Sequence, residues 1–123
     1  MKIVLVFSAV SAMLSVILGA FAAHGLKNRL PENLLSAFQT GVEYQMYHSL
    51  ALILLFVLYK QMPQSLLIWS AGFMMAGILL FSGSLYLLAL TQVKWFGPIT
   101  PLGGVFFIVG WALLVAGALK GAE

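Results

Sequence analysis

The chain contains no cysteine and no aspartate. The first absence excludes disulfides, thiolate nucleophiles and cysteine-ligated zinc or iron–sulfur centres. The second removes the Ser-His-Asp constellation. A Ser-His-Glu set could be assembled only from Ser82 or Ser84, His24 or His48, and Glu43, and no nucleophile-elbow motif supports it. Phosphate-cradling glycine loops are missing as well. Charge is scarce, at 7% of 123 residues. Six cations and three acids cannot cover the surface of a soluble domain of this size. The cations stand singly, so there is no basic patch of the kind that binds nucleic acid, and they read as interfacial anchors. No catalytic set, no metal site, no cofactor and no nucleic-acid partner is expected.

What is present is apolar: 63% of residues, against about 45–50% in soluble domains. The solvent for most of this surface is therefore lipid. A spanning helix needs about 20 apolar residues at 1.5 Å each, and four stretches qualify: about 3–23, 40–59, 66–90 and 99–119. The start of the second is counted back from Tyr59, because the purely apolar part, Leu50 to Leu58, is too short to cross. Lys60, Gln61, Met62 and Pro63 make a short turn after it. Residues 31–40 read as an amphipathic helix at the interface. Pro31 suits a first turn, Glu32 complements the dipole, and Leu34, Leu35, Phe38 and Val42 share one face. The fold class expected is an all-α integral membrane protein of one domain, a four-helix transmembrane bundle with a short interfacial helix between spans one and two.

Lys2, the apolar run and Ala20-Phe21-Ala22-Ala23 resemble a cleavable leader, but the run is long for one, and it is read as a retained span. The positive-inside rule does not orient the bundle: Lys2, Lys60 and Lys120 share one side, and Lys27, Arg29 and Lys94 the other. Aromatic residues mark both interfaces, Tyr59 and Trp69 on the first side and Tyr86, Trp95 and Phe96 on the second. Lipid supplies no hydrophobic force between helices, so small residues must permit close contact. Ser11, Ser15, Gly19 and Ala23 recur every four residues, and Gly103, Gly110 and Gly117 every seven. These are read as packing seams rather than a pore lining.

One end of such a bundle gathers polar side chains. His24, Glu43, Tyr44, Gln45, Tyr47, His48, Ser82, Ser84 and Thr100, with Thr91 beside them, form the candidate binding cluster. An ionisable group in the membrane is costly unless paired, so Glu43 and His48 are expected to face inward. A polar stripe through Thr40, Glu43 or Tyr44, and Tyr47 or His48 leads from the surface into the membrane. Four uses compete: a structural hydrogen-bond network, a proton or substrate path, a lipid or quinone headgroup site beside Lys27 and Arg29, and a metal or haem site, for which the spacing is no ligand motif.

The ordered motifs Gly19-Ala-Phe-Ala-Ala-His24-Gly25-Leu26, Tyr44-Gln-Met-Tyr-His48, Phe81-Ser-Gly-Ser-Leu-Tyr86 and Ile99-Thr-Pro-Leu-Gly-Gly104 resemble those of the YgdD/YwdK-type family of small bacterial membrane proteins of unknown function. The resemblance covers nearly the whole chain. It implies four spans, a place in the bacterial cytoplasmic membrane and no established activity. Ala22 departs from the family's usual Gly-Ala-Phe-Gly-Ala-His, which loosens any close backbone approach there. The function expected is a non-catalytic membrane protein that binds a membrane lipid or a protein partner. The alternative is a small oligomeric transporter or proton-coupled carrier built on Glu43, His48 and His24. A homo-oligomer is compatible with both.

Overall fold

The computed structural model describes residues 1–121. Among these residues, five α-helices make four long rods. Helix α1 (Lys2–Phe21) runs into a π-helical turn, Ala22–Leu26. Helix α2 spans Glu32–Gln61. Helices α3 (Ser65–Gly77) and α4 (Gly83–Thr91) are joined by a π-helical turn, Ile78–Ser82, into one continuous third span. Helix α5 covers Ile99–Gly121. All four rods are long and apolar enough to cross a membrane. The chain is an all-α membrane protein.

The local chemistry of the ends is conventional. Pro31, at φ −55° and ψ 151°, sets the entry to α2, and Glu32 and Lys60 lie in the turns where their charges oppose the helix dipole. The residues expected to form a separate interfacial helix are instead the opening turns of α2, which has no break near Thr40. Their apolar face does not meet lipid. Phe38 is fully buried with Ala22, Leu26 and Ala89, and Leu34, Leu35 and Val42 pack around them. A protein surface, not the bilayer, accounts for the amphipathic pattern. The methyl group of Ala22 is enclosed in this cluster.

Two hairpins build the molecule. Helix α1 rests almost entirely on α2, and α5 rests on the third span; α2 and the third span then pack against each other at the centre. The α3–α5 contact keeps an antiparallel register in steps of seven. A Cβ on Gly117 would lie 2.9 Å from Leu67 Cδ2, one on Gly110 2.7 Å from Met74 Cγ, and one on Gly103 2.7 Å from Phe81 Cα. The glycines recur on one face because seven residues are nearly two turns. Along the first rod the buried seam is Val4, Ser8, Ser11, Ser15 and, in the π-helical turn, Ala22. Ala23 is exposed, because a spacing of four drifts by about 40° per step and leaves the seam by its last member.

Gly103→Ala should therefore lower the thermal stability of the detergent-solubilised protein, at a cost of about 1–3 kcal/mol for overpacking. Gly72→Ala, where an added Cβ meets nothing within 4 Å, should instead raise the melting temperature slightly, because alanine favours the helix over glycine by about 0.5–1 kcal/mol. Gln92 caps the third span in the left-handed conformation at φ 60°. Gln92→Gly removes that strain and should raise stability by about 0.5–1 kcal/mol in the same melt.

A buried acceptor stripe as candidate functional site

The inward face of α2 carries Gly41, Gln45, His48, Leu52 and Leu55, all buried and spaced by threes and fours. The first three present hydrogen-bond acceptors, and each receives a donor from the second hairpin. Ser82 Oγ donates to the Gly41 carbonyl oxygen at 2.7 Å. Tyr86 Oη donates to Gln45 Oε1 at 2.6 Å. Trp111 Nε1 donates to His48 Nε2 at 3.0 Å. Gly41 lacks the side chain that would shield its carbonyl, so Ser82 can reach it across the helix interface.

Both nitrogens of His48 and both amide heavy atoms of Gln45 are hydrogen-bonded. The Gln45 amide nitrogen donates to the Ser11 carbonyl oxygen at 2.8 Å. Ser49 Oγ donates to the Gln45 carbonyl oxygen at 2.6 Å and pairs with Ser11 Oγ at 2.7 Å. His48 Nδ1 lies 2.8 Å from the Tyr44 carbonyl oxygen. A carbonyl only accepts and an indole N–H only donates. The proton must therefore sit on Nδ1, leaving Nε2 as an acceptor and the imidazole neutral. The ring also stacks on Phe107, with centroids 3.6 Å apart and planes 9° from parallel. Neither nitrogen has a free lone pair to offer a metal.

His48 lies about 24 Å from the Glu32 end of α2 and about 20 Å from the Gln61 end at 1.5 Å per residue. His48 thus lies near the midpoint of α2, whose opening turns, with Glu32, Asn33, Ser36 and Gln39 exposed, extend beyond the 20-residue span counted back from Tyr59.

The nine residues of the expected cluster do not converge. Gln45, His48, Ser82 and Ser84 are buried, and Thr100 is half-buried. Ser84 Oγ pairs with Thr100 Oγ1 at 2.5 Å, tying α4 to the start of α5 apart from the acceptor stripe. His24, Glu43, Tyr44 and Tyr47 are exposed. Glu43 was expected to face inward. It points out because it is five residues from His48, about 140° around the helix, and the inward face is already taken by Gln45 and His48. The inward polar stripe is Gly41, Gln45 and His48, while Glu43 and Tyr47 follow the outer face. Thr91 bonds within its own helix, to the Leu87 carbonyl. Among the described residues, no three His, Cys, Asp or Glu side chains gather where one ion could be held.

Sequence reasoning missed Ser11, Ser49, Tyr86, Phe107 and Trp111 as members of this network. Tyr86, taken for an interfacial marker, bonds inside the bundle. A signal did exist for Ser11. It and Gln45 lie at similar distances from the 27–31 connection, so an antiparallel hairpin sets them opposite each other. Nothing comparable links Trp111 to His48, which are 63 residues apart.

Fold and site together define a small four-span integral membrane protein with an internally paired polar centre. The chain belongs to the family described as Protein of unknown function (DUF423), which matches residues 18–104. It is 46% identical over 121 residues to the UPF0382 membrane protein YwdK of Bacillus subtilis, with 98% of each chain covered. It is 45% identical to the UPF0382 membrane protein SSP2132 of Staphylococcus saprophyticus, covering 98% of this chain and 99% of that one. The UPF0382 inner membrane protein YgdD of Escherichia coli is 41% identical, covering 97% of this chain and 91% of that one. These relatives place the protein in the bacterial cytoplasmic membrane. No solved structure matches the chain.

His48→Ala should lower stability in detergent by roughly 1–2 kcal/mol, the upper range for a membrane hydrogen bond with lost stacking added. His24→Ala, at an exposed position, should melt with the wild type. Equal melting temperatures for the two variants would contradict the pairing of His48 with Trp111.

Proposed function

We propose that the protein is a non-catalytic lipid-binding protein of the cytoplasmic membrane, and that it holds one anionic lipid in the gap between α1 and the third span. The observation that carries this reading is a groove of about 850 Å³ in that gap. It exists because α1 leans on α2 and scarcely touches the third span. Its walls are apolar, including Ile3, Val6, Val10 and Leu79, and its polar lining is confined to Lys2, Ser11, Gln45 and Tyr86. Lys2 is the one cation of the lining and lies at the membrane-edge end of α1. An acyl chain fits the walls, and a cation at the interface suits an anionic headgroup. This end of the bundle is opposite to the one marked by Lys27 and Arg29.

A proton-coupled carrier needs titratable groups in series. Here Glu43 and His24 face outward, and both His48 nitrogens are occupied within the bundle, so the geometry favours lipid binding over that reading.

Native mass spectrometry of the protein extracted gently from its own membrane tests the proposal. A phospholipid-sized adduct is expected on the wild type. Gly83→Leu fills the groove at a position where an added Cβ meets nothing within 4 Å, and it should abolish the adduct while leaving the melting temperature intact. Lys2→Gln should remove the preference for anionic over zwitterionic lipid. An adduct that persists in Gly83→Leu would place the lipid elsewhere and refute the groove.

A further inference from the structure

The outer face of α2 carries a second pattern that the groove does not use. Glu43, Tyr47, Leu50, Leu54 and Val57 are all exposed. Their spacing alternates four, three, four, three, which keeps them on one line along the helix. The neighbouring positions Met46, Ile53 and Phe56 are partly covered, and Gln45, Ser49, Leu52 and Leu55 are buried. The exposed line, widened by Tyr44 beside Glu43, is the outer face of α2; its period is shared by the exposed face of α1, and what sets it apart is its two polar side chains.

Glu43 is the anomaly in it. It lies about 17 Å from the Glu32 end of α2 and about 27 Å from the Gln61 end, within the depth that the hydrocarbon occupies. Its carboxyl group has no hydrogen-bond or ion-pair partner among the described residues. Tyr47 is 55% exposed, and its hydroxyl likewise has no partner among them. A carboxyl group facing lipid at this depth is costly and calls for an external partner.

We infer that this seam is a self-association surface, on which α2 of one copy packs in parallel against α2 of a second copy. The second copy is the occupant that the chemistry fits, because the face complements itself. It presents an acceptor at Glu43 and a donor at Tyr47, one turn apart. Side chains on a helix lean toward its N-terminus, so Tyr47 of one copy reaches back to the level of Glu43 of the other. A two-fold axis along the membrane normal repeats the bond twice. Below it, Leu50, Leu54 and Val57 supply the apolar a/d contacts of the same seam. The groove between α1 and the third span is left open, since Gln45, which lines it, is about 200° around α2 from Glu43.

The chain has no cysteine, so single introduced thiols report contacts without background. Leu50→Cys and Leu54→Cys, oxidised in native membranes, should each give a covalent dimer. Ile17→Cys, exposed on α1, should not. These positions face lipid and touch no core packing, so folding is not at stake. Native mass spectrometry should find a dimer whose dissociation constant rises about tenfold in Glu43→Leu, the scale of the two symmetry-related membrane hydrogen bonds lost together, and less in Glu43→Gln, which can still accept from Tyr47. Three results would overturn the assignment: a monomer with no cross-linking at either seam position, cross-linking at Ile17→Cys as strong as at Leu54→Cys, or a seam cross-linked only to a different protein. The lipid adduct is read separately, from Gly83→Leu, so either proposal can fail alone.

Discussion

Three acceptors on one face of α2 decide how the rest of the chain is arranged. Gly41, Gln45 and His48 offer a carbonyl, an amide oxygen and an imidazole nitrogen at successive turns. The carbonyl is already bonded within α2 and gains a second donor, but the Gln45 oxygen and the His48 nitrogen cannot be left unsatisfied away from water without a penalty. The donors come from Ser82, Tyr86 and Trp111, so the third span and α5 are both fixed in height and rotation against α2. Because a donor meets an acceptor at every contact, the arrangement also sets the tautomer of His48. In soluble proteins hydrophobic burial would do most of this positioning, but lipid is as apolar as the side chains it would replace.

Close approach is the second requirement, and glycine and serine meet it together. Where a glycine faces a neighbour, its carbonyl is bare and a hydroxyl or amide can reach it. Ser70 donates to Gly110 at 2.6 Å, and Gln64 donates to Gly117 at 2.9 Å. The same residues therefore serve packing and hydrogen bonding, and the seam of seven residues in α5 aligns both along one line. This is why a bundle with large exposed apolar surface still has a defined register.

The four spans were legible because length and apolarity register directly in a sequence. The seam in α5 was legible because its spacing of seven matches the helix closely. The course of α2 was less so. Its opening turns look interfacial on composition, and only their contact with Ala22, Leu26 and Ala89 shows that they belong to the bundle. The start of the helix does not mark the start of the bilayer, because α2, at about 45 Å, is longer than a hydrocarbon core of about 30 Å. Rotation was the harder problem. Polar residues at 43, 44, 45, 47 and 48 surround the helix, and composition alone does not say which of them turn inward. Gln45 and His48 do so because their partners are on other helices, far away in the chain, and the Glu43 position follows by exclusion.

The division into two hairpins bears on how the molecule is made. Gln45 and Ser49 meet Ser11 within the first hairpin, so those bonds can close as soon as α2 has been inserted. Gln45 Oε1 and His48 Nε2 remain without their donors until the third span and α5 arrive, while the Gly41 carbonyl, bonded within α2, awaits only its second donor. A half-synthesised chain therefore carries two unmet side-chain acceptors along one edge. That edge is a polar ledge in the bilayer, which holds the first hairpin in wait for the second and rejects lipid as a substitute. The assembly order is thus written into the direction of the hydrogen bonds: the half made first accepts, and the half made last donates.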